Sequence, residues 1–207
     1  MQEYLIDNRE VLELSNGYYR FYGASQSWYQ SIFKRQAGCG PTTATNQLLY
    51  LSQNDSYYRD IFLKELNYQN VFEMMNNVWK DITPGLMGVN RLDIYETGII
   101  KYMQRFAVKI AVDSLKIAVD NRVSETVVKE YLIKHLSKNR PIAFLNLSAG
   151  KLYNLSNWHW VLIVGLTIIE NSLIAHIYDE GSYKKIDLSL WLNSTTKGGG
   201  FVALHHE

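Results

Sequence analysis

A single cysteine in 207 residues narrows what this chain can become more than any other feature. With Cys39 alone, neither an internal disulfide nor a multi-cysteine zinc site can staple the fold, so a hydrophobic core must hold it. The composition provides one: 47 % of residues are hydrophobic and 20 % are charged. Cys39 lies in Gly38-Cys39-Gly40-Pro41-Thr42-Thr43, after which the run from Thr43 to Leu51 reads as a helix. Proline lacks an N–H and has a preset φ, so Pro41 belongs in a first helical turn. Cys39 is thereby predicted on a tight bend at a helix N-terminus, where free N–H groups and the positive dipole end suit a thiolate. The glycines on both sides are expected to leave room for a substrate beside the sulfur. A lone cysteine is more often a small buried hydrophobe, so its partners decide which it is.

The formal charge of +1 offers no basic patch for nucleic acid and no acidic excess that would favour disorder. Met1 to Glu10 is too polar for a secretory signal. Apolar runs such as Trp160 to Val164 fall far short of the roughly 20 residues that span a bilayer. These features lead to the expectation of a soluble, cytoplasmic protein. With 15 Tyr and 5 Trp, an aromatic-lined groove is expected as well as aromatic core packing.

Short strands are expected between Glu10 and Tyr22 around Asn16-Gly17, followed by a polar and aromatic approach to Cys39. A second helical region capped by Ser56 should break near Asn67, and Asp81 to Asn90 is a loop. Arg91 to Arg105 reads as helix, Ala107 to Val119 as strand, and Ser124 caps a helix ending near Lys138. Strands are predicted at Ile142–Leu147, His159–Ile169, Ser172–Asp179, Tyr183–Ile186 and Phe201–Leu204, with a short helix at Leu188–Leu192. Helices first, then a largely antiparallel sheet, define an α+β domain spanning 1–207, with a helical elaboration at about 54–106.

A thiolate nucleophile needs a base and something to orient that base. Of the five histidines, His135 is read as a solvated side chain on a surface helix and His176 as a satisfied sheet histidine. His205 and His206 lie too near the terminus for accurate catalysis. His159 opens an apolar strand between Trp158 and Trp160, which can exclude water, and a strand end is a rigid mount. Asp179 closes the next strand. With a two-residue turn at Glu170-Asn171, residues whose numbers sum to 341 pair, and His159 and Asp179 fall on opposite faces. A sum of 340 puts them diagonally on one face, within side-chain reach. A Cys39–His159–Asp179 triad therefore requires an odd-length turn or a bulge in this hairpin. The backbone N–H of Cys39 would form half of an oxyanion hole, with Gln26, Gln30 or Gln36 supplying the other half.

Cys39-Gly40-Pro41-Thr42-Thr43 opening a helix, His159-Trp160-Val161 with Val164-Gly165 opening a strand, and Asp179 closing the next resemble the papain-like cysteine peptidases. The similarity is greatest to the bacterial branch around the bacteriocin-processing, double-glycine-cleaving peptidases and their stand-alone relatives. The resemblance implies a papain-like fold and a peptide or protein substrate, with no cofactor or metal. It also implies a thioester on Cys39 and Gln26 as oxyanion donor, Gln36 being the fallback. A transglutaminase, acyltransferase or amidase would use the same triad, and a non-catalytic papain-like domain would bind peptides in the same groove. Thr83-Pro84-Gly85 and the tryptophans are candidate groove-lining residues.

Overall fold

A computed structural model of the chain describes residues 1–121, 123–170 and 172–206. Its centre is the helix that Cys39 opens. Short helix α1 (Ile32–Ala37) leads through Gly38 into α2 (Cys39–Asn54). Every residue of α2 from Cys39 to Ser52 is buried. A helix enclosed all round carries no single apolar stripe, and α2 has polar residues on several faces for that reason. Thr45, Asn46, Gln47 and Ser52 each find a partner. Gln47 donates to the carbonyls of Pro141 and Val202 at 2.9 and 3.0 Å and accepts from the Tyr95 hydroxyl at 3.0 Å. Left unpaired, such an amide would cost about 1–3 kcal/mol.

The α2 helix packs on β6 (His159–Ile169), the middle of a mixed helix-and-antiparallel-sheet, α+β arrangement. The other sheet strands are β1 (Gln2–Leu5), β4 (Ala111–Ile117), β5 (Ile142–Asn146), β7 (Ser172–Asp179), β8 (Ser182–Asp187) and β9 (Gly199–His205). Their order is β4-β9-β5-β6-β7-β8, all neighbours antiparallel. On one edge of β6, β5 covers the half nearest His159, and β1 continues along the other half, pairing Leu5 with Gly165. A separate hairpin joins β2 (Glu13–Ser15) to β3 (Arg20–Tyr22). The remaining helices are α3 (Tyr68–Val78), α4 (Leu92–Gln104), α5 (Glu125–Leu136) and α6 (Leu188–Ser194).

Several sequence expectations need correction. The sheet begins before the helices, because β1 is an edge segment too short and too polar to announce itself. The 3-10 turn at Ser56–Ile61 is capped by Asp55, not Ser56: its carboxylate accepts from the Tyr57 N–H. The expected break near Asn67 is a helix start, Asn67 capping α3 through the Asn70 N–H. The glycines at 199 and 200 lie inside β9 rather than ahead of it. Among the described residues no helix is long and apolar enough to cross a membrane.

His135 is the largest correction. It faces inward from α5, fully buried, with Nε2 3.0 Å from an Asp113 carboxylate oxygen. Burial outweighs the pull of Asp113 and pushes its pKa down to about 4. His176 is a sheet histidine, held between Thr167 and Tyr183 and also lowered to about 4, chiefly by burial. Both groups bind a proton more readily once the chain unfolds, where a histidine titrates near 6.5. The stability contributed by these two histidines is therefore expected to be full above about pH 6.5 and to decline as pH falls towards 4. Urea unfolding midpoints at pH 7.5 and 5 check this, and His176→Gln should flatten the slope.

Candidate functional site

Gly38 caps α2, so Cys39 is its first helical residue, and the Thr42 N–H is the first to close a turn, onto Gly38 O at 3.0 Å. Pro41 falls within that first turn, where a missing N–H is harmless. The N–H groups of Cys39 and Gly40 precede the first intrahelical bond. The two glycines serve packing rather than substrate access, contrary to expectation. A Cβ at Gly38 would lie 2.4 Å from Lys34 O, and one at Gly40 would lie 2.8 Å from Val89 Cβ. Val89 is held by the Trp160 indole, which donates to its carbonyl at 2.5 Å while stacking on Tyr95 at 4.3 Å between centroids. Trp160 is thus a core strut, and the exposed Trp158 lies beneath Lys197 Nζ at 4.4 Å.

The hairpin β6–β7 carries the feature the triad requires. Near its tip Ile169 pairs with Ser172, Ile168 with Leu173 and Gly165 with His176, all summing to 341. Beyond a bulge at Val164, Ile163 pairs with Ile177 and Leu162 with Tyr178, summing to 340. The extra residue in β6 shifts the register by one, which brings His159 and Asp179 onto one face. His159 Nε2 lies 2.6 Å from Asp179 Oδ1. Asp179 ends β7 because Glu180 and Gly181, at φ 49° and 77°, form a two-residue turn of the I′ kind into β8.

With Nε2 taken, the ring nitrogen left for Cys39 is Nδ1, and the two side chains share one recess, near enough for Cys39 to raise the imidazole's pKa. Burial alone would lower the His159 pKa. The hydrogen bonds and charges of Asp179 and Cys39 overcome that and push it up to about 10. Burial likewise opposes ionisation of Asp179, but His159 and Lys184 hold its carboxyl below the usual carboxylate range. Lys184 Nζ sits 2.6 Å from the second oxygen, Oδ2, so both oxygens are engaged. Cys39, His159 and Asp179 are 8, 6 and 5 % exposed, so the interactions operate in a low-dielectric setting.

Gln26 begins a 3-10 turn (Gln26–Trp28) and lines the small recess at Cys39 with Thr42, Thr43, Asn46, His159, Trp160 and Tyr178. Its Oε1 is buried, and among the described residues its amide makes no hydrogen bond. The group that could donate to negative charge is the Nε2 N–H of the same amide rather than this acceptor oxygen. Gln30 and Gln36 are exposed, and neither lines this recess. Thr83 bonds back to Trp79 O and Gly85 bridges Gly88, and the next residue, Val89, packs against Gly40 beside Cys39. Sequence reasoning missed Lys184, whose signal is its place in β8 opposite Ile177, two residues from Asp179 across the ladder. Comparison of the sequence with known protein families and with curated proteins finds no match.

Proposed function

We propose that this chain is a papain-like cysteine hydrolase, a peptidase in its chemistry. The observation that carries the reading is His159, bonded through Nε2 to Asp179 and facing Cys39 in one buried recess. A thiolate–imidazolium pair at a helix N-terminus is a nucleophile already activated and an acid already protonated. The sulfur attacks the substrate carbonyl. The Cys39 N–H and the Gln26 Nε2 N–H donate to the oxygen on which negative charge develops, and His159 delivers its proton to the departing amine. A thioester remains on Cys39. His159, now neutral, takes a proton from water, which hydrolyses the thioester and restores the thiolate. Asp179 fixes the ring and balances its charge, and Lys184 keeps the second carboxylate oxygen from turning elsewhere.

The recess holds only about 10 Å³, roughly the space of one water. That suits a main-chain carbonyl reaching the sulfur from a peptide lying across the opening. The test is labelling by a peptidyl chloromethyl ketone. The wild-type chain should take up one label, on Cys39, and Cys39→Ala should take up none while keeping its circular dichroism spectrum. Equal labelling of the variant would end this reading.

A further inference from the structure

We propose that Asn46 is a positioning residue that sets where the Gln26 amide stands relative to Cys39. The inference rests on the hydrolase reading above and adds to it a residue that acts only through another. Asn46 lies seven positions after Cys39 in α2, close to two full turns, so both occupy one face of a single rigid helix. It is 4 % exposed. Its side chain treats Ala24 as a neighbouring strand would: Oδ1 accepts from the Ala24 N–H at 2.7 Å, and Nδ2 donates to the Ala24 carbonyl at 3.3 Å.

Ala24 is two residues from Gln26. Between them the Ser25 hydroxyl accepts from the Ser27 N–H and opens the 3-10 turn on which Gln26 stands. Upstream, Tyr22 N donates to Gly181 O at 2.8 Å and Gly23 N to Leu12 O at 2.7 Å. This ties the same segment to the turn that follows Asp179. Gly23 adopts φ +79°, and a Cβ there would meet Asn46 Nδ2 at 2.8 Å, so the close approach needs glycine. The Gln26 amide has no hydrogen bond of its own among the described residues, so its place depends on the backbone that Asn46 grips. One helix thereby carries the nucleophile and also indexes the oxyanion donor.

Two reagents separate positioning from mere structural support. Iodoacetamide forms the S–C bond with loss of iodide and creates no oxyanion. A peptidyl p-nitrophenyl ester acylates the thiolate through an oxyanion, giving the thioester and p-nitrophenolate. Asn46→Ala should slow acylation about 10- to 100-fold, less than the roughly 10²–10³ that outright loss of one oxyanion donor costs, while leaving the iodoacetamide rate within about twofold. Asn46→Asp, which keeps the acceptor for the Ala24 N–H, should fall between Asn46→Ala and wild type. It also decides the matter if the alanine variant does not fold. Gln26→Ala is the reference. Parallel loss of both rates, or unchanged acylation in the Asn46 variants where Gln26→Ala slows it, would overturn the positioning role. Unchanged acylation in Gln26→Ala would instead remove Gln26 from the hydrolase reading, and Asn46 with it.

Discussion

His159→Asn is expected to slow acylation of Cys39 by a peptidyl ester by about 10²–10⁴-fold at pH 7, the usual contribution of a positioned acid–base group. The imidazolium is held to about pH 10 by its bonds to Asp179 and Cys39, against a burial that favours the neutral ring. Across neutral pH the wild-type thiol therefore faces a cation in a nearly closed recess, where charge interactions are weakly screened. Asparagine preserves some volume and hydrogen bonding but carries no charge and takes no proton. Its iodoacetamide rate at pH 7 should fall below the wild-type rate, and its profile should lack the change that the wild-type imidazolium imposes as it gives up its proton near pH 10. Rates against pH, read by mass spectrometry of the labelled chain, distinguish the two curves. An unchanged profile would remove His159 from the site.

The second large effect is on stability. Gly199→Ala should destabilise the fold by about 3–5 kcal/mol, lowering Tm by on the order of 10 °C. At Gly199 φ is +151°, and an added Cβ would lie 1.9 Å from the Leu145 carbonyl oxygen. The obstacle is backbone in β5, which cannot rotate away. Leu145 adjoins Asn146, whose cross-strand partner is His159 and whose Oδ1 accepts from the Trp191 indole at 2.8 Å. Displacing β5 thus reaches the mount of the base as well as the core. Thermal unfolding followed by circular dichroism measures the shift, and a loss under about 2 °C would contradict so close a strand approach.

The readable parts of this chain were those set by local chemistry. Pro41 between small residues marks the start of α2, Ser124 caps α5, and His159–Ile169 and Ser172–Asp179 are strands with the limits their patterns suggest. The parts set by distant partners were not legible. His135 occupies a helical position that looks solvated, and only the arrival of β4 with Asp113 makes it buried. Lys184 sits in a strand of alternating polarity, and its importance comes from its place diagonal to Asp179 across the β7–β8 ladder. Gln26 could not be separated from Gln30 and Gln36 by spacing, because its place is decided by Asn46, twenty residues further on. Gly38 and Gly40 looked like clearance for a ligand, but Lys34, Tyr29 and Val89 fill the space.

The bulge at Val164 has a consequence for how this hairpin can change. A straight antiparallel ladder fixes the parity of every pair along its length, so its tip and its mouth obey the same odd or even rule. Here the tip runs on an odd sum and the mouth on an even one, with Val164 as the point of change. Deleting Val164 would return the mouth to the tip's parity and turn either His159 or Asp179 to the opposite face, together with its strand neighbour in the recess, Trp160 or Tyr178. An even insertion at the tip preserves parity and spares the site, whereas an odd one is tolerated only if a second single-residue shift accompanies it. Whether the two side chains meet is thus decided by counting, one residue at a time, at a valine that touches neither.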